Sequence, residues 1–91
     1  MSDMKQGGYT QARPLDKHDK EVFEKAFEGF VGVTYTPKRA STQVVNGTNY
    51  RFFCDYKTTT NPPEKGKALI TIHEELLIYG GKVSIVDIVR Y

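Results

Sequence analysis

The apolar residues of this chain change their period once. Val22, Phe23, Ala26, Phe27 and Phe30 recur at spacings of one, three and four, which places them on one stripe of a helix. Beyond Gly32 the period falls to two: Tyr50, Phe52, Cys54 and Tyr56 alternate with Arg51, Asp55 and Lys57, and only Phe53 breaks the rule. One helical segment followed by strands is an α+β pattern. The helix has one apolar stripe and the sheet one more apolar face, so the simplest arrangement lays the stripe across the sheet. At 91 residues the chain suits a single domain over 1–91, with one modest core and little room for a deep catalytic pocket.

Local signals set the element boundaries. Asp16 is a good N-cap after Pro14-Leu15, and Asp19 puts a negative charge in the first turn. The spacing predicts a helix over 16–30, ended by Gly29 and Gly32, with Lys17, Lys20, Glu21, Glu24 and Glu28 mostly off the apolar stripe. A strand over 33–45 contains Pro37, which calls for a bulge or an edge position. Asn46-Gly47 is a hairpin signal, and the return strand runs over 48–58. A polar loop over 59–67 contains Asn61-Pro62-Pro63. A third long strand starts near Ala68, Gly80-Gly81 turns the chain, and the last strand covers 82–91. Residues 1–13 have no periodicity. They read as an arm, flexible over 1–8, with Tyr9 to Ala12 able to add a short fifth strand. Phe23, Phe27, Phe52, Ile70 and Ile72 are the expected core.

Several function classes find little support. Thirteen Lys and Arg against 11 Asp and Glu give +2, a balance without the clustered positive charge of a nucleic-acid binder. Cys54 is the only cysteine, so no internal disulfide forms; a reducing, cytoplasmic setting fits. The polar stretch over 1–8 does not read as an intact secretory signal, and no later segment is apolar for long enough to span a membrane. Cys54 lies on the apolar face of its strand beside Phe52 and Tyr56, where a thiol is structural rather than reactive. His18 and His73 stand far apart in the sequence and have no matching Cys or carboxylate spacing, so neither a metal site nor a Cys–His nucleophile is expected. Glu74 and Glu75 are strand neighbours on opposite faces and would not act as a carboxylate pair. Gly7-Gly8 opens no strand–helix phosphate turn. The expectation is a protein without catalytic residues, metal or cofactor.

The unusual feature is apolar turn chemistry. Gln43-Val44-Val45-Asn46-Gly47 carries two β-branched residues to a hairpin tip, where polar residues are the rule. A second tip, Leu76-Leu77-Ile78-Tyr79-Gly80-Gly81, is apolar up to its glycines. Strand ends packed in a core would account for this; exposed apolar tips mark a binding surface.

Gln43-Val44-Val45-Asn46-Gly47-Thr48-Asn49-Tyr50 resembles the cystatin superfamily, whose hallmark is Gln-x-Val-x-Gly, and its Thr-Asn-Tyr extension resembles the stefins, small members without signal peptides or disulfides. Gly7-Gly8-Tyr9-Thr10-Gln11-Ala12-Arg13-Pro14 is similar to the stefin amino-terminal stretch, a glycine pair followed by proline. The order of glycines, helix, hairpin motif and second hairpin agrees over most of the chain. Two departures stand out. The segment between Pro14 and Gln43 is shorter than in animal stefins by about two helical turns. The second hairpin offers Leu76, Leu77 and Tyr79 in place of the family's Pro-Trp or Leu-Pro pair.

The resemblance implies a cystatin-like fold, one α-helix across a four- to five-stranded antiparallel sheet, and a wedge-shaped inhibitor of papain-like cysteine proteases. In that reading Gly7 and Gly8 pass close to the enzyme, Gln43, Val44, Val45, Asn46 and Gly47 sit beside the catalytic cysteine, and Leu76, Leu77 and Tyr79 add contacts on the primed side. The partner is the protease, with neither nucleic acid nor membrane involved. The alternative is a cystatin-fold binding module that uses the same edge for another protein or ligand. Stefin-like proteins also exchange strands through the first hairpin, which implies a monomer able to form a domain-swapped dimer. Asn46-Gly47-Thr48 matches the N-glycosylation pattern, and a glycan there would block the wedge.

Overall fold

The computed structural model describes residues 8–91 and comprises one helix and five strands. In chain order these are β1 (Arg13–Pro14), α1 (Lys17–Ala26), β2 (Val33–Val45), β3 (Gly47–Thr58), β4 (Lys65–Glu74) and β5 (Val83–Arg90). A 3-10 turn, Leu77–Tyr79, lies between β4 and β5. The strands form one open sheet in the order β1-β2-β3-β4-β5, every neighbour antiparallel. The helix packs on one face, nearest β4 and β5, and the other face is helix-free. No helix among the described residues is long and apolar enough to cross a membrane.

The helix starts where its cap dictates. The Asp16 carboxylate accepts from the Asp19 backbone N–H at 2.8 Å, and the Asp19 carboxylate accepts from the Asp16 N–H at 2.9 Å, a reciprocal capping box. The helix ends earlier than the sequence predicts, at Ala26 rather than residue 30. The Phe27 N–H still reaches back to the Phe23 carbonyl, but Phe30 N–H bonds Phe27 O in a tight turn, and Gly29 takes φ 79°. That left-handed glycine ends the helix and turns the chain toward β2. The Phe27 and Phe30 rings then pack edge-on at 4.9 Å, and both meet Tyr35. Phe27 is therefore half-buried rather than core.

β2 spans the predicted residues, and its register shifts between Pro37 and Arg39. Pro37 has no N–H to donate, and the extra residue restores the pairing beyond it. β4 starts at Lys65, three residues before the expected Ala68. Thr58 explains this: its N–H bonds Glu64 O and its hydroxyl accepts from Glu64 N–H, closing the loop tightly enough for Lys65 to pair with Lys57. Gly66 lies under the Tyr56 ring, where a Cβ would fall 2.8 Å from Cε2. The added amino-terminal strand is Arg13–Pro14 rather than the stretch from Tyr9 to Ala12; Tyr9 makes a single bridge to Gln43.

The core lies between helix and sheet. Val22 and Phe23 meet Ala40, Tyr50, Phe52, Cys54, Ala68, Ile70 and Ile72, all buried. Phe23 packs edge-on against Phe52 with ring centroids 5.0 Å apart. Each such side chain taken from water contributes about 1.5–3 kcal/mol, so Val22 and Phe23 are the main apolar anchors of the ten-residue helix, with Leu15, Ala26 and Phe27 packed beside them. Burial pushes the Cys54 thiol up to about 12, which leaves it protonated and inert at neutral pH, as its strand position predicts.

Candidate functional site

Antiparallel pairing fixes which loops share an end of the sheet. The β2–β3 hairpin closes at Asn46, with Val45 opposite Gly47. Thr48 lies opposite Glu74, so the exit of β4 leaves from the same end. The amino-terminal segment runs along β2 toward that end, with Arg13 opposite Ala40 and Tyr9 opposite Gln43. Gly8, the Val44–Gly47 tip and the Leu76–Gly81 connection therefore gather at one end of the molecule. Gly7 lies outside the described residues.

The tips are exposed and apolar. Val44 is 47% accessible, Leu76 39%, Leu77 89%, Ile78 81% and Tyr79 63%. Val45 is half-buried. Leu77, Ile78 and Tyr79 are presented by the 3-10 turn, which is tied by Tyr79 N–H and Gly81 N–H to Leu76 O and by Gly80 N–H to Leu77 O. Gly80 (φ 107°) and Gly81 (φ 64°) bring the chain back into β5. Ile78, absent from the sequence expectation, is nearly as exposed as Leu77; the apolar run that flagged its neighbours included it.

Polar side chains hold this end in shape. On the helix-free face, Asn49 Nδ2 donates to Gln43 Oε1 at 2.7 Å, and Asn49 Oδ1 is 2.7 Å from His73 Nδ1. Gln43 thus ties β2 through β3 to β4 instead of pointing outward alone. On the helix face, the Tyr50 hydroxyl donates to Glu74 at 2.8 Å, and His18 Nε2 lies 3.2 Å from the same oxygen. Burial and this carboxylate push the Tyr50 phenol far above its ordinary value, so it stays a donor. Gly47 (φ 114°) lets the hairpin tuck against β4: a Cβ there would lie 2.5 Å from Glu74 O and 3.0 Å from the His73 ring. A shallow cleft of about 270 Å³ separates the tips, lined in part by His18, Gly47, Glu74 and Leu77.

The hairpin signal and its register bring Gln43 opposite Asn49, a pairing readable from the sequence. The Tyr50–Glu74–His18 junction is not readable, because it needs the helix placed over β4. Among the described residues no group of three or more His, Cys, Asp or Glu side chains is placed to hold a metal ion. What the end offers is surface: a hydrogen-bonded backbone with apolar side chains at its points and, among the described residues, no buried side-chain nitrogen or oxygen left without a hydrogen bond. No family model matches the chain, and no curated protein or solved structure gives a match either.

Proposed function

We propose that this end of the molecule is a protein-binding wedge, and that the chain is a stefin-like member of the cystatin superfamily that inhibits papain-like cysteine proteases reversibly and competitively. The observation that carries the reading is the convergence of three separate segments, Gly8, Val44–Gly47 and Leu76–Tyr79, on one end of the sheet, with Val44, Leu76, Leu77, Ile78 and Tyr79 exposed there. The motif residues Gln43 to Tyr50 span the first tip and the strand ends beside it, and Gly8 adjoins the tip.

The mechanism requires no chemistry from the inhibitor. Val44 and Val45 bring apolar area to the enzyme's catalytic groups, while the hairpin presents no cleavable bond in a productive pose. Gly8 lets the arm's backbone approach closely, for want of a side chain. The tips are already ordered, so little conformational entropy is lost on binding. Binding energy concentrates in the few exposed anchors, Leu77 and Tyr79 among them.

A second reading is a binding module of the same fold with a different protein partner. It is favoured by the Leu77-Ile78-Tyr79 turn, which stands where the family carries Pro-Trp or Leu-Pro. Titrating papain with the purified protein separates the two. Inhibition predicts stoichiometric loss of activity; full activity at micromolar protein defeats the inhibitor reading and leaves the binding module.

A further inference from the structure

The wedge needs its arm in register with the hairpin, and a series of contacts along β2 fastens it there. Arg13, in β1, is tied to the buried Asp19, with Nη2 3.1 Å from Oδ1. Arg39 Nη2 donates to Ala12 O at 3.1 Å. Thr10 bonds Thr42 twice, N–H to O at 2.8 Å and Oγ1 from N–H at 3.0 Å, and its carbonyl accepts from the Ser41 hydroxyl. Tyr9 bridges to Gln43, and the Arg51 guanidinium lies over the Tyr9 ring, 3.9 Å from its centroid.

That contact spans a whole strand. Arg51 stands on β3 opposite Ser41 of β2, and Tyr9 stands on the far side of β2 opposite Gln43. The guanidinium must pass over β2 to reach the ring, and residue 41 is small enough to let it. Ser41 is only 4% accessible although it lies on the helix-free face. Among the described residues no carboxylate pairs with Arg51, so the ring is the contact that orients it.

We infer that Arg51 is a positioning residue for the amino-terminal arm: its guanidinium clamps Tyr9 against the helix-free face and so holds Gly8 beside the Val44 tip. The inference rests on the wedge reading for its effect on a protease, but not for its effect on the arm. A cation over an aromatic face at a partly exposed site is worth enough to shift an equilibrium several-fold. Without it Gly8 and Tyr9 are held less firmly against β2, and more of their ordering falls to target binding.

The test uses Arg51→Ala, Arg51→Lys, Tyr9→Ala and Tyr9→Phe in the full chain, and Arg51→Ala again in a chain lacking residues 1–8. Amide hydrogen exchange on the free proteins reads the clamp directly. Arg51→Ala and Tyr9→Ala should each speed exchange of the Thr10 amide, which bonds Thr42 O, at least threefold, whereas Arg51→Lys and Tyr9→Phe, which keep a cation and a ring, should not. Unchanged exchange in Arg51→Ala overturns the clamp whether or not papain is inhibited. Against papain, Arg51→Ala should weaken inhibition about threefold in the full chain, mainly through faster dissociation, and change nothing further once residues 1–8 are gone. An equal loss in both chains would make Arg51 a direct contact or a stability residue and overturn its positioning role. Failure of the wild type to inhibit at all would defeat the wedge, while the exchange rates would still decide the clamp.

Discussion

Two residues at the first tip separate shape from contact. Gly47 serves shape: with φ 114° and the Glu74 carbonyl where a Cβ would stand, alanine there must displace backbone. Gly47→Ala should lower stability by about 1–3 kcal/mol, read as a drop in the denaturant midpoint at unchanged m-value. Val44 serves contact, being almost half exposed where Val45 is half-buried. An aspartate at 44 remains hydrated in the free protein, so Val44→Asp should stay within about 0.5 kcal/mol of the wild type. In a dry protease cleft the same unpaired carboxylate costs several kcal/mol. At about 1.4 kcal/mol per tenfold, inhibition should weaken at least a hundredfold. Melting curves and papain titrations on this variant measure both terms; a stable variant that inhibits as well as wild type would remove the hairpin from the site. Val45→Asp is the poorer probe, because its half-buried side chain mixes the two effects.

Among the elements, the ones whose evidence is local were legible in the sequence. Asp16 announces the helix start, Asn46-Gly47 the hairpin, and Pro37 the irregularity in β2. The alternation of Tyr50, Phe52 and Cys54 identifies the covered face of β3 without any knowledge of what covers it. Misjudged boundaries were those set by side-chain contacts across a turn or loop, which periodicity does not report. The helix stops at Ala26, where the tight turn through Gly29 brings Phe27 and Phe30 onto Tyr35, and β4 lengthens because Thr58 closes the loop on Glu64. Asp19 was legible only in part: its place in the first turn was clear, but its burial and its pairing with Arg13 were not. That pair ties β1 to α1. Burial pushes the Asp19 carboxyl up, yet the hydrogen bonds from Arg13 and from the Asp16 N–H outweigh it and hold the group below its ordinary 3.8. A depressed carboxylate adds stability that is present above its unfolded pKa and disappears as pH falls through the folded one. Stability should therefore decline as pH drops below about 4. Asp19→Asn should flatten that decline and be less stable than wild type at pH 7, since it leaves Arg13 only the longer ion pair with Asp16, at 3.8 Å. Equilibrium unfolding of both proteins between pH 2 and 7 checks the slope; parallel curves would mean that the pair adds no acid sensitivity.

At the scale of the whole molecule, the proposed function depends on a turn with almost nothing in it. β2 and β3 run 13 and 12 residues, and the hairpin between them closes at Asn46. If the hairpin opens, β2 and β3 become one continuous strand, and two chains can rebuild every pairing of the monomer with each other's halves. The exchange gives up only the hinge contacts and relieves the left-handed backbone at Gly47. Its barrier is high, because reaching the open state breaks the long β2–β3 ladder and uncovers Phe52 and the core around it. Dimers should accordingly form slowly near the melting temperature and persist on cooling. Their function should differ from the monomer's. The swapped dimer has the same core, helix and second tip, but Val44 and Val45 now lie within an extended segment instead of at a point. It should therefore lose papain inhibition while keeping the monomer's far-ultraviolet spectrum. Size-exclusion after mild heating isolates the two species, and each is titrated separately. A dimer that inhibits at full strength would place the binding surface elsewhere than the hairpin tip, and a dimer with altered secondary structure would not be a strand exchange.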